Sequence, residues 1–225
     1  MICLLIVILV YVSFERCRFQ GACLVLWSSD FALTLAEAKV TCATLTPSAL
    51  AVLRPSVHLS KLAVAAEACP PALVEAWAHR RRMVNAYGPS ENTVVSTWAE
   101  LSGASHSDWH LDVGDSPSAA SFTTAPVHVP IGRPLQGVQA YVFEATQCRS
   151  LQPIGAPGEL CLAGEQLAQG YFQSPQRTAE RFVANPLNGQ RMYKTGDLCM
   201  WLPEGQLLYL GRNDEMAGAP KPDLA

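Results

Sequence analysis

The sequence predicts an α/β protein in which a parallel sheet flanked by helices is followed by a small antiparallel, barrel-like β subdomain. Three observations carry that expectation. Between residues 21 and 96, short apolar runs alternate with amphipathic stretches of helical length. From residue 130 onward the texture changes to closely spaced β-rich runs separated by glycine turns. The chain is 225 residues long, 49% apolar and 16% charged, a globular composition able to bury one good core or two small ones.

Charge and cysteine usage narrow the function classes. A net charge of −3 and a pI near 5.9 leave no basic footprint for nucleic acid. The cationic run His79, Arg80, Arg81, Arg82 reads as a solvated helix C-terminus favoured by the macrodipole. Eight cysteines are scattered without a Cys-x-x-Cys or a close histidine, so no zinc site is expected and the thiols read as small buried hydrophobes of a reducing cytosol. Residues 1–14 are strongly apolar but stop at Glu15 and Arg16, short of the roughly 18 to 20 residues a bilayer span needs. They lack the basic start and small-residue cleavage site of a leader. A core strand or helix, or the start of a truncated chain, is favoured over a membrane tether, and the expected location is cytoplasmic.

Residues 21–27 read as a buried strand, 31–39 as a helix and 40–45 as the next strand. Thr46, Pro47 and Ser48 cap a helix reaching about Leu53, residues 62–66 form a third strand, and Pro70-Pro71 opens a helix that buries Leu73, Val74 and Trp77. Met83 and Val84 make a fourth strand. This rhythm implies a mostly parallel sheet covered on both faces. Residues 101–127 are polar and weakly patterned, a surface insertion in which His106, His110, Asp108 and Asp112 do not make a convincing metal site. Further strands are expected at 139–143, 158–163, 191–194, 196–201 and 206–210. The organisation is then an apolar segment at 1–20, an α/β part at 21–100, the insertion at 101–127, a β-rich part at 128–214 and a tail at 215–225.

One stretch carries chemistry. After Met83 and Val84, Gly88-Pro89 breaks the strand, so Tyr87, Ser90 and Glu91 project from a strand's C-terminal end, where ligands sit in open α/β sheets. A flat ring offers a stacking face, a hydroxyl can donate to phosphate, and a carboxylate can hold Mg²⁺. An ordinary polar turn accounts for the same string equally well.

Asn85-Ala86-Tyr87-Gly88-Pro89-Ser90-Glu91 closely resembles the Asn-x-Tyr-Gly-Pro-Thr-Glu signature of adenylate-forming enzymes, the AMP-dependent synthetases and ligases, and in particular the adenylation domains of nonribosomal peptide synthetases. Ser90 keeps the hydroxyl of the family's threonine. Gly158-Glu159-Leu160-Cys161-Leu162-Ala163-Gly164, followed by Leu167-Ala168-Gln169-Gly170-Tyr171, resembles a second family segment. Tyr193-Lys194-Thr195-Gly196-Asp197-Leu198 resembles Tyr-Arg-Thr-Gly-Asp-Leu, Gly211-Arg212-Asn213-Asp214 resembles Gly-Arg-x-Asp, and Ile131-Gly132-Arg133-Pro134 also fits.

The resemblance implies a set of roles. Tyr87 would stack on adenine with Asn85 at its edge and Gly88 in the turn, Ser90 would bind phosphate and Glu91 Mg²⁺. Asp197 would accept from the ribose diol, Arg212 would contact the ribose or phosphate region, and Asp214 would be the hinge of a C-terminal lid. Thr44, Ala63, Ala65, Ala86, Val94 and Val95 would line a pocket for an amino or acyl acid, small and aliphatic enough to favour an apolar side chain. The implied cofactors are ATP or AMP and Mg²⁺. The implied partners are an amino acid, a peptidyl carrier protein with its phosphopantetheine and other synthetase modules, with no nucleic acid and no membrane.

The chain departs from the pattern in three places. It contains no Gly/Ser/Thr-rich phosphate loop ending in Pro-Lys-Gly, residues 8–14 do not match the segment that supplies an α-amino-binding aspartate, and beyond Asp214 the sequence leaves the family pattern that leads to a catalytic lysine. By resemblance it is part of an ATP-dependent ligase, expected to be incomplete for catalysis alone. The alternative is a non-catalytic nucleotide-binding or interaction module that needs a partner chain.

Overall fold

The computed structural model describes residues 23, 25, 31–54, 59–79, 81–101 and 128–213. The apolar start, the expected strand at 21–27 apart from Cys23 and Val25, nearly all of the expected insertion, Arg80, the expected hinge residue Asp214 and the tail lie outside the described residues.

The first sheet runs β1 (Cys42–Leu45), β2 (Lys61–Ala65), β3 (Arg82–Tyr87), β4 (Thr97–Leu101) and β5 (Arg133–Pro134) in that spatial order. β1, β2 and β3 are parallel, as the alternation of strands and helices demands, and helices link them: α2 (Pro47–Ala51) and α3 (Pro71–Trp77), with α1 (Phe31–Glu37) ahead of β1. Local chemistry starts these helices. The Thr46 hydroxyl accepts from the Ala49 N–H at 3.2 Å with Pro47 in the first turn, and Pro70-Pro71 leads into α3 with the fixed dihedral a first turn tolerates. β4 and β5 are antiparallel, so the sheet is mixed at one side. The short β3–β4 connection makes this possible, because only an antiparallel neighbour can be reached without a crossover.

Side-chain alternation divides the two faces of this sheet. Leu45, Leu62, Val64, Met83, Ala99 and Leu101 point to one face, where they pack with Leu35, Leu50, Val74 and the fully buried Trp77 of the helices. Leu73 is only half-buried at that margin. On the other face Thr44, Lys61, Arg82, Trp98 and Glu100 are exposed among the described residues.

The second sheet is antiparallel and curled, in the order β10 (Leu207–Arg212), β9 (Arg191–Trp201), β7 (Gly158–Gly164), β6 (Val138–Phe143), with β8 (Phe182–Ala184) also on β9. A helix the sequence did not suggest, α4 (Pro175–Arg181), leads directly into β8. Its two faces carry separate clusters, one with Ile131, Val142, Leu160, Leu162, Cys199 and Leu207, the other with Phe143, Cys148, Cys161, Ala163 and Met192. Four thiols, Cys69, Cys148, Cys161 and Cys199, are buried as small hydrophobes.

The two sheets are stitched together at the segment leading into β5. Asn85 donates to the Pro130 carbonyl at 2.8 Å, Thr97 donates to the Ile131 carbonyl at 2.7 Å, and the Ile131 N–H reaches the Leu207 carbonyl at 2.9 Å. β5 therefore belongs to the first sheet, although it follows the break at which the sequence changes texture.

Candidate functional site

β3 runs on to Tyr87 rather than stopping at Val84. A 3₁₀ turn, Ser90–Asn92, follows the Gly88-Pro89 break. Gly88 lies so close to the next loop that a Cβ there would sit 2.5 Å from the Val94 carbonyl oxygen and 2.7 Å from the Ser96 nitrogen. Only glycine permits that approach. Thr93 and Val94 then take left-handed dihedrals, φ 50° and 68°, a strained arrangement for a β-branched side chain that persists only where neighbours enforce it.

The enforcing contacts come from the second sheet. The Gln166 side-chain amide donates to the Asn92 and Val95 carbonyls at 3.0 and 3.1 Å. The Thr93 hydroxyl donates to the Gln166 carbonyl at 2.6 Å, and the Ala168 N–H to the Glu91 carbonyl at 2.8 Å. The residues after β7 thus strap the 3₁₀ turn down. Glu91 itself is half-buried, and its Oε1 accepts from the Tyr171 hydroxyl at 2.6 Å, with the Tyr193 hydroxyl 3.3 Å from that of Tyr171. Burial, then the bond to Glu91, raises the Tyr171 pKa, so the phenol stays a donor.

Asp197 is positioned by an irregularity on both sides of β9. Glu159 pairs with Leu198 and Cys161 with Lys194, so Leu160 alone spans Thr195, Gly196 and Asp197; the pairing with β10 also shifts, between Tyr209 and Gly211. Gly196 at φ 75° absorbs the bend, which is why β9 continues as one strand where the sequence suggested two. Such bulges re-aim side chains. Asp197 lies opposite Arg212 in the register and accepts from Arg212 Nη1 at 2.9 Å on Oδ1, while the Tyr87 hydroxyl donates to its Oδ2. Burial first, then the Asp197 charge, raises the Tyr87 pKa well above the phenol value, and burial does the same to the neighbouring Cys199 thiol.

Tyr87, Asp197 and Arg212 are therefore in one hydrogen-bonded group although Tyr87 and Asp197 are 110 residues apart. Glu91 joins the same junction through the strap, and Ser90 is exposed at the start of its turn. Asn85 is buried and tied to Pro130, on the opposite face of β3 from Ala86. Thr44 and Ala63 are register neighbours, as are Ala65 and Ala86, and all four share the sheet face away from the helices. Val94 and Val95 are half-buried in the strapped loop. Sequence reasoning gave no role to Gln166, Tyr171 or Tyr193; Tyr171 and Tyr193 sat inside quoted motifs, but nothing local says that their hydroxyls meet at Glu91.

Among the described residues no three His, Cys, Asp or Glu side chains form a metal cluster. Glu91 with one oxygen taken by Tyr171 suits a lone carboxylate ligand, the kind Mg²⁺ accepts when phosphate and water complete its shell.

Comparison with known proteins agrees with this layout. The family described as AMP-binding enzyme matches residues 10–172. Novobiocin biosynthesis protein H of Streptomyces niveus is 41% identical over 185 residues, covering 80% of this chain and 27% of its own length. Gramicidin S synthase 1 of Brevibacillus brevis is 37% identical over 182 residues, covering 79% of this chain and 15% of its own. Among solved structures, the nonribosomal peptide synthetase FmoA3 in its alpha-methyl-L-serine-AMP bound form superposes with a TM-score of 0.65 at 27% identity, over 82% of this chain and 20% of that one. The Klebsiella oxytoca NpsA N-terminal subdomain, in complex with 3-hydroxybenzoyl-AMSN, gives 0.61 at 25% identity over 80% and 44%. The chain thus spans about a quarter or less of the length of these curated relatives.

Proposed function

The chain belongs to the AMP-binding enzyme family, and from that premise we propose that the junction of its two sheets binds the adenylate of an amino-acid-activating reaction. The observation that carries the reading is the hydrogen-bonded group Tyr87, Asp197 and Arg212, which joins a β3 aromatic to a β9 carboxylate and a β10 guanidinium at one point. A carboxylate presents acceptor oxygens and nothing to donate, which suits a ribose diol. The Tyr87 ring, anchored by its hydroxyl, offers a face for the base, with Asn85 and Gly88 shaping the turn beside it. Ser90 and Arg212 would hold phosphate oxygens, and Glu91 would hold Mg²⁺, whose chemistry there is to offset charge on the phosphates.

In the parent reaction a substrate carboxylate attacks the α-phosphorus of ATP, forming aminoacyl-AMP and releasing pyrophosphate. The thiol of a carrier-protein phosphopantetheine then takes the acyl group and AMP leaves, within a chain of synthetase modules in the cytoplasm. The small residues Thr44, Ala63, Ala65 and Ala86, with Val94 and Val95, favour an apolar amino-acid side chain. Residues 21–100 and 128–214 would be the two parts of the AMP-binding unit, with Asp214 as the hinge.

Calorimetric titration with AMP tests the reading. The 225-residue chain should bind AMP, and Asp197→Ala should weaken it by about 1.5 to 3 kcal/mol, roughly 10- to 100-fold, the worth of a charged hydrogen-bond partner. Because these residues contain no triphosphate loop, ATP–pyrophosphate exchange by this chain alone should be undetectable. An Asp197→Ala chain that binds AMP as well as the parent would overturn the assignment.

A further inference from the structure

Arg181, the last residue of α4, reaches the same bend in β9 as Arg212. A Cβ built on Gly196 would lie 2.9 Å from Arg212 Nη2 and 3.1 Å from Arg181 Nη1, so both guanidiniums pack against this glycine and stand beside each other. Arg212 is committed to the Thr195 carbonyl and to Asp197 Oδ1, both at 2.9 Å. Arg181 has no hydrogen bond or ion pair among the described residues and is only half-exposed. Its backbone is fixed, because Phe182 pairs directly with Tyr193 in the β8–β9 ladder. Around Gly196 the guanidiniums of Arg181 and Arg212 and the Lys194 ammonium face two carboxylates, Asp197 and Glu159, the latter accepting from the Gly196 N–H at 3.1 Å and lying 3.6 Å from Lys194 Nζ, so one positive charge is left over. The arrangement becomes favourable when an anion with several oxygens lies against the two guanidiniums, since planar guanidinium forks match phosphate oxygens in pairs.

We infer that Arg181 and Arg212 form a paired-guanidinium site beside Gly196 for a phosphate-bearing anion, with Arg181 as a binding residue outside every motif in the sequence. The inference deepens the nucleotide reading and rests on it for the identity of the anion, because Asp197 is the residue next to Gly196 and the ribose it would hold carries the phosphate. A helix-terminal arginine that only complements the macrodipole of α4 would not need to reach Gly196.

The test titrates the 225-residue chain with adenosine, AMP and inorganic pyrophosphate, comparing the parent with Arg181→Ala, Arg181→Gln and Arg181→Lys. The expected result is AMP affinity reduced about tenfold or more by Arg181→Ala, adenosine affinity unchanged, and partial recovery in Arg181→Lys, because the phosphate alone loses a charged donor. Pyrophosphate binding should fall in parallel. Thermal unfolding of each variant identifies a folding defect, and Arg181→Gln, which keeps most of the stem, serves if the alanine chain does not fold. An unchanged AMP affinity, or equal losses for adenosine and AMP, would overturn the site. If the parent chain ignores both adenosine and AMP yet binds pyrophosphate in an Arg181-dependent way, the nucleotide reading fails and the anion site stands. If it binds none of the three, both fail.

Discussion

Glu144, on the surface after β6, accepts from the hydroxyl and backbone N–H of Thr146 and from the N–H groups of Gln147 and Arg149. The Thr146 hydroxyl is the largest of the influences that lower its pKa from 4.5 to about 2. A lowered carboxyl pKa stabilises the fold fully above the ordinary value, and that contribution fades as the pH falls from 4.5 toward 2. NMR titration of the Glu144 carboxyl should show the low midpoint, and Thr146→Val should move it back toward 4.5. Ala66 is a residue of the opposite kind, because it takes φ 77° without the freedom of glycine. Ala66→Gly should stabilise the chain by about 1 kcal/mol in urea denaturation, the cost of a left-handed alanine less the entropy glycine gains when unfolded. The strain appears only once the backbone is traced.

Among the elements, α2, α3, β1 and β2 were legible within a residue or two, and β3 except for its last three residues, because each carries its own signal: a hydroxyl cap, a proline in the first turn, an apolar run. Thr97–Leu101 alternates buried and exposed along its length, yet it fell at the edge of a polar stretch and escaped notice. The split expected in β9 left out only Thr195, whereas Gly196 bends a continuous strand there. The candidate site divides in the same way. Tyr87, Glu91, Asp197 and Arg212 were legible as motif residues, whereas Gln166 and Tyr171 act across the sheet junction, and a long-range contact leaves no periodicity behind. Gln166→Ala removes two bonds to the backbone of the strapped turn and should cost about 1 to 3 kcal/mol. Amide exchange at Asn92 to Val95 should accelerate more than exchange in β2 or β7, and uniform acceleration would show that the strap is not local.

Across the whole molecule, the links at Asn85, Thr97 and Ile131 join a helix-backed sheet to a curled one. Asn85→Ala leaves the Pro130 carbonyl without its donor in a buried position and should cost about 1 to 3 kcal/mol. Denaturant curves followed by fluorescence of Trp77 and Trp201, one in each half, should coincide in the parent and separate in this variant. The buried thiols add a kinetic consequence. Burial pushes the Cys69 pKa up to about 12 and raises that of Cys199 as well, and because only thiolates alkylate, neither should react at neutral pH until its surroundings open. Cys69 lies with the helices and Cys199 inside the second sheet, so peptide-resolved iodoacetamide labelling turns the two sulfurs into independent clocks: equal rates mean that the halves come apart as one body, and an earlier Cys69 means that the helical half opens first.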